Sequence, residues 1–297
     1  MSINSIMSMA QSALQAAQTQ VQTTSDNVSN VNTPGYSRKV VNQQELVAAG
    51  AGDGVSVIGV QNVASQFLQQ ASLKASAQSS QAQAVSNVLD QAQGLFGDPT
   101  ASNSFFSNLD NVYSAFSTAS ASPSSFLARQ SAITAVSTFL NSAQSVAANL
   151  GQLQSQASQQ VSGDVTTVNS LLQQISKLNA SITQASLSSG DATGVQDQQN
   201  QLVNQLSSLM GVNVQATATG GVTIRSIDVA YRAGDQGAAT VAFSQSGSAA
   251  VLTASPPSGG AQQINPGGGD IGGQIQLSQV ELPQISAQLG EYVSQAV

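Results

Sequence analysis

The sequence predicts a mainly α-helical chain with a small all-β domain inserted, the helical part being an elongated, coiled-coil-like rod. Three observations carry that expectation. Apolar or small residues alternate in steps of four and three over two long stretches, 3–31 and 133–185, which is the spacing of a coiled-coil seam. Beyond Gly211 the period drops to two between Gly-rich turns, the pattern of short strands. Charged side chains are only 7% of the residues, so Ser, Gln, Asn and Thr must form the solvent faces of those helices. Four segments follow: an axial helix and turn over 1–40, a helical rod over 41–210 that opens with a short β segment (41–62), a β-rich domain over 211–269, and a returning helix over 270–297.

The first seam runs through Ile3, Met7, Ala10, Leu14, Ala17, Val21, Thr24, Val28 and Val31. Pro34 has no amide hydrogen and pushes Thr33 out of the helical region, while Gly35 permits a turn, so the helix is expected to end at about Asn32. The other face is Ser, Gln and Asn, with no charge before Asp26. A lone amphipathic helix gains little in water from its own hydrogen bonds, so the stripe requires a partner. The candidate assembly residues are therefore Ile3, Met7, Leu14, Val21, Val28 and Val31 of the seam, with Asn32, Pro34, Gly35 and Tyr36 of the turn.

Next, Val40 to Val47 and Val55 to Val60 read as two strands joined through the Gly-rich run 50–54. A phosphate cradle would need a helix directly after those glycines, and a strand follows instead. Residues 63–95 read as a helix ended by Gly97-Asp98-Pro99. Asn103 is placed to cap a short helix carrying Phe105, Phe106, Leu109, Val112, Tyr113 and Phe116, an aromatic core cluster. The second seam, through Ile133, Val136, Leu140, Ala143, Ala147, Leu150, Gln154, Ala157, Val161, Asp164, Val168, Leu171, Ile175, Leu178, Ile182 and Ala185, is interrupted by Gln154 and Asp164 and weakened at Gly151 and Gly163, so a break or bend near Gly163 is the expectation. A returning helix holds Val195, Leu202, Val203, Leu206 and Leu209 and stops at Gly211. Strands are expected at 212–214, 222–224, 227–231, 240–243 and 250–253, then a Pro/Gly linker and a last helix with Ile275, Leu282, Ile285, Leu289 and Val293, started or kinked by Pro283.

Composition excludes several functions. The 297 residues hold seven basic and fourteen acidic side chains, and the basic ones are scattered, so the clustered cationic footprint of a nucleic-acid binder is missing. With no His and no Cys, a Ser-His-Asp triad, a Cys nucleophile and the common zinc sites cannot be built. No segment alternates carboxylates closely enough for a calcium loop, and Asp191, Asp197, Asp228 and Asp235 read as turn, cap or solvated residues. No catalytic, cofactor-binding or metal-binding residue is assigned, no cofactor or small-molecule substrate is expected, and the chain is expected not to be an enzyme. The N-terminus lacks the basic and apolar regions of a secretory signal, and no stretch is apolar and long enough to span a membrane.

The run 24–36, Thr-Ser-Asp-Asn-Val-Ser-Asn-Val-Asn-Thr-Pro-Gly-Tyr, with Ala13-Leu14 upstream, resembles the signature of the flagellar rod, hook and hook-associated axial proteins. The continuation Gly35-Tyr36-Ser37-Arg38, the segments 103–123 and 129–140, Leu178-Asn179-Ala180-Ser181-Ile182, Asp197-Gln198-Gln199-Asn200-Gln201-Leu202 and Leu206-Ser207 are similar to its hook-filament junction members. The resemblance covers most of residues 1–215. It implies a secreted structural component of the bacterial flagellum, exported by the flagellar type III route, located at the extracellular hook-filament junction and active in motility through self-assembly. The implied partners are hook protein, the second hook-filament junction protein, copies of the chain itself and an export chaperone. A hook or rod subunit is the alternative inside the family, and a secreted helical adhesin or type III secreted protein the alternative outside it. The family plan continues to a terminal heptad helix that pairs with the first one, and this sequence ends before it.

Overall fold

A computed structural model describes residues 3–33, 35–48, 51–63, 66–188, 191–226, 237–246, 249–257 and 259–296. Pro34 and the strand expected at 227–231 lie outside them. The described chain is mainly helical with small antiparallel sheets, in the order α1 (Ile3–Ser29), β1 (Lys39–Ala48), β2 (Ala51–Asn62), α2 (Gln66–Phe96), α3 (Phe105–Ala121), α4 (Phe126–Leu187), α5 (Thr193–Leu209), β3 (Val212–Ala216), β4 (Val222–Ser226), β5 (Thr240–Ser246), β6 (Ala249–Ser255), β7 (Gln262–Ile264), α6 (Gly269–Gln276), a π-helical turn (Leu277–Glu281) and α7 (Leu282–Ala296). Its contacts divide it into a first unit, Met1–Ala77, Thr167–Ala242 and Thr253–Gly267, and a second, Gln78–Thr166, Phe243–Leu252 and Gly268–Val297.

In the first unit α1 lies on the β1–β2 hairpin, whose register slips at Asn42/Gln43 and again at Leu46/Val47. Each slip adds twist, which curls the ribbon. The strands run through part of the glycine stretch, Gly52 and Gly54 both pairing inside β2. The β3–β4 pair is held by side-chain amides: Asn179 of α4 donates to the Val222 carbonyl and accepts from its N–H, both at 2.8 Å, and Gln199 of α5 donates to the same Asn179 oxygen at 2.8 Å. Asn169 repeats the device on Val241, at 2.8 and 2.7 Å. The region expected as one β domain carries two separate sheets, β3-β4 and β5-β6-β7.

The second unit has a core of Ala92, Phe105, Leu109, Val112, Phe139, Ala143, Val146, Leu150, Leu277, Leu282 and Leu289. Ser104 caps α3, its hydroxyl accepting from the Ser107 N–H at 3.1 Å, so the cap falls one residue beyond the expected Asn103. The long seam also shifts in its first turns: Ile133 and Leu140 are exposed, while Ala132, Phe139 and Val146 are buried. Apolar residues occupy both registers there, and the larger ring decides, because Phe139 meets Phe105 at a centroid distance of 5.3 Å.

α4 is one 62-residue helix that runs through Gly151 and Gly163 without the break that was one of the two outcomes expected there. Buried Val161 and Val165 on either side hold that stretch in place, outweighing the glycine's propensity cost of about 1 kcal/mol. At the C-terminal end the π-helical turn lets the Leu282 N–H reach the Leu277 carbonyl. Continuing that pattern would pair residue 283 with the Ser278 carbonyl, but Pro283 has no N–H to give. Gln154 donates to that carbonyl instead, at 2.7 Å. The glutamine that interrupts the seam thus satisfies the oxygen the proline leaves unpaired.

Candidate assembly surface

The two faces of α1 have different surroundings. Toward the hairpin it turns small and polar residues, with Ala16 and Thr23 buried and Met9, Ser12, Thr19, Asn27 and Asn30 half-buried. The sequence reading left this face to solvent. It can pack because its side chains are short and settle their own polar groups: Thr23 donates to the Thr19 carbonyl at 2.8 Å and Ser12 to that of Met9 at 3.0 Å. The Ser12 oxygen then accepts from the Val55 N–H at 3.2 Å. Gly54 makes that approach possible. With φ +116°, it sits where a Cβ would lie 2.4 Å from Ser12 Oγ.

The opposite face carries the apolar seam, and none of the described residues covers it. Ile3 (81%), Met7 (68%), Leu14 (61%), Val21, Val28 and Val31 are exposed, with Ile6 beside them. An apolar stripe of this length on a helix anchored from behind is a candidate interaction surface.

Below the stripe the turn is built tightly. α1 ends at Ser29, earlier than the expected Asn32, and the chain continues in single turns, Thr33 N–H to Asn30 carbonyl at 2.9 Å and Tyr36 N–H to Thr33 carbonyl at 3.1 Å. Asn32 is exposed, whereas Gly35 and Tyr36 are half-buried. Gly35 takes φ +82°, and a Cβ there would lie 3.0 Å from Gln201 Cγ of α5.

Asn27 ties helix, turn and hairpin together. It accepts from the Tyr36 hydroxyl at 3.0 Å and the Lys39 N–H at 2.8 Å, and donates to the Lys39 carbonyl at 2.8 Å. The Lys39 ammonium lies 5.2 Å from the Tyr36 ring centroid and pairs with Asp197 of α5 at 3.1 Å, the two side chains being only 10% and 13% exposed. Burial pushes the Tyr36 phenol pKa up, and nearby Lys39 partly opposes this. Two amide bridges, Asn62 to Gln196 and Gln69 to Asn200, both 3.1 Å, add to the seam with α5.

Sequence reasoning singled out Tyr36 and Gly35 but missed Asn27, Lys39 and Asp197. Asp197 read as a solvated or capping residue, and the structure makes it half of a nearly buried ion pair. Asp197, Gln199 and Asn200 meet three different elements, β1, α4 and α2, which no pattern in the sequence announces. Among the described residues no group of three His, Cys, Asp or Glu side chains could hold a metal ion, and no helix is long and apolar enough to cross a membrane.

Two family models match the chain. One, described as flagella basal body rod protein, matches residues 7–36, which are α1 and its turn. The other, described as flagellar hook-associated protein FlgK helical domain, matches residues 89–296. The chain belongs to the FlgK family. Flagellar hook-associated protein 1 of Bacillus subtilis (strain 168) is 27% identical over 237 residues, covering 74% of this chain and 45% of the relative. The protein of the same description from Salmonella typhimurium is 27% identical over 219 residues, covering 71% and 39%. The structure of the flagellar hook junction protein FlgK from Burkholderia pseudomallei shares the fold with a TM-score of 0.63 at 24% identity, over 76% of this chain and 41% of that one. The chain thus spans less than half the length of these FlgK relatives.

Proposed function

We propose that this chain is a structural subunit of the bacterial flagellum that joins hook to filament by axial self-assembly, located in the extracellular flagellum. The observation that carries the reading is the uncovered apolar stripe of α1, on a helix whose other face is seated on the hairpin and whose turn is pinned through Asn27, Lys39 and Asp197. A coiled-coil stripe held rigidly in this way is suited to docking against other axial helices. Ile3, Met7, Leu14, Val21, Val28 and Val31 make the apolar contact, and Asn32, Pro34, Gly35 and Tyr36 set the direction in which the chain leaves it. The partners are hook protein, the second junction protein, copies of the chain and, before export, a chaperone. The work is packing, with no reaction of its own. Residues 1–40 serve as the assembly segment, 41–210 as the helical body, 211–269 as the outward β-rich part and 270–297 as the returning helix.

A deletion strain of the source bacterium, complemented in trans, tests this. Deletion should leave hooks without attached filaments, and wild-type chain should restore swimming. The double substitution Leu14→Asp and Val21→Asp should fail to restore it, while the purified variant keeps the wild-type melting temperature, since both positions are exposed. Full-length filaments and normal swimming in the deletion strain would sink the proposal.

A further inference from the structure

Two carboxyl groups meet inside the second unit. Asp164, on α4, is 6% exposed, and Asp270 lies in the first turn of α6. Asp164 Oδ1 accepts from Gln160 Nε2 at 2.9 Å, while its buried Oδ2 has no donor. Asp270 lies within hydrogen-bond reach of Asp164. Gln274 donates to Asp270 Oδ1 at 3.3 Å, and its own buried Oε1 is also without a donor. Among the described residues the charged and amide groups facing this pair are Gln160 from α4 and Gln274 from α6, and neither acid forms an ion pair with a Lys or Arg. The site is therefore rich in acceptors. Two ionised carboxylates in contact, one of them buried, repel each other, and neither can supply the missing hydrogen.

We propose that Asp164 keeps its proton in the folded chain and donates it to Asp270, in a hydrogen bond that fastens the first turn of α6 to α4 and opens when the proton leaves. The O–H sits on Asp164 and donates to an Asp270 oxygen, which gives the orphaned Oδ2 its partner. Burial first, and Asp270 second, raise Asp164 from an ordinary pKa of 3.8 to about 7. Because the folded state holds the proton more tightly than the unfolded one, the stabilisation is complete below the ordinary value and is lost as pH rises through about 7. α6 leads directly into the π-helical turn and α7, so loss of the proton frees the start of the C-terminal helical segment.

Urea unfolding of the full chain, followed from about pH 4 to about pH 8, reads the linkage. The wild-type unfolding constant should rise with pH by up to about tenfold per pH unit, the slope of one proton. Asp164→Asn supplies a permanent N–H to Asp270, so its midpoint should stay level, and hydrogen exchange in α6, corrected for intrinsic rates, should lose its pH dependence. Asp270→Asn provides an independent variant should Asp164→Asn fail to fold: the fall of its midpoint with pH should be smaller than that of the wild type, since the neighbouring acid is gone while burial still acts on Asp164. A wild-type midpoint that does not fall, or a fall that persists undiminished in the Asn variants, overturns the proposal. So does restoration of the wild-type midpoint at pH 8 by calcium, because the pair would then hold a cation in place of the proton.

Discussion

At the scale of single residues, asparagine recurs as a clamp on distant backbone. Asn27, Asn169 and Asn179 each grip the N–H and the C=O of one distant residue, Lys39, Val241 and Val222, at 2.7 to 2.8 Å. A carboxamide matches a peptide group donor for acceptor, so it can close a strand's free edge where no neighbouring strand exists. The Lys39–Asp197 pair is the charged counterpart. Removing one partner of a nearly buried pair leaves an uncompensated charge, whereas removing both leaves none. Lys39→Met should destabilise the chain by about 3 kcal/mol, and adding Asp197→Leu should recover most of that loss. A double-mutant cycle in urea checks this, and simple additivity of the two changes would argue that the pair is solvated.

At the scale of elements, burial is decided by which face a helix can seat, and apolarity alone does not decide it. α1 seats its Ala, Ser, Thr and Asn face because a twisted hairpin with Gly54 at the contact admits short side chains closely. α4 does the reverse along its later turns, where Val161, Val168, Leu171, Ile175 and Ile182 are buried as the heptad spacing demands. Leu171→Asp places an unpaired charge in that packing and should cost about 4 kcal/mol, while Gln173→Asp on the exposed side should stay within about 0.5 kcal/mol. Melting temperatures of the two variants give the answer, and an unshifted Leu171→Asp would mean that this face of α4 is solvated.

For the molecule as a whole, the low charge content sets the response to solvent. With charged residues at 7% and a net charge of −7, most polar contacts are amide and hydroxyl hydrogen bonds, which salt does not screen. Stability should therefore change little between about 0.05 and about 0.5 M sodium chloride, since screening reaches mainly exposed charges and the Lys39–Asp197 pair is shielded. Scanning calorimetry at fixed pH tests this, and a steep salt dependence would point to a larger role for surface charge.

Helix positions, the positive-φ turn at Gly35, the change to strands beyond Gly211 and the existence of an apolar stripe on the first helix were all readable in the sequence. These depend on local rules, namely period and glycine's tolerance of positive φ. The tertiary structure decided which faces are covered. Phe139 displaced Leu140 because Phe105 was there to receive it, and Gln154 answered a carbonyl orphaned by Pro283, far away in sequence. Asn27, Lys39 and Asp197 meet only because α1, β1 and α5 fold together. Such contacts leave no periodic trace, because their energy depends on distance in space, and separation along the chain carries no record of it.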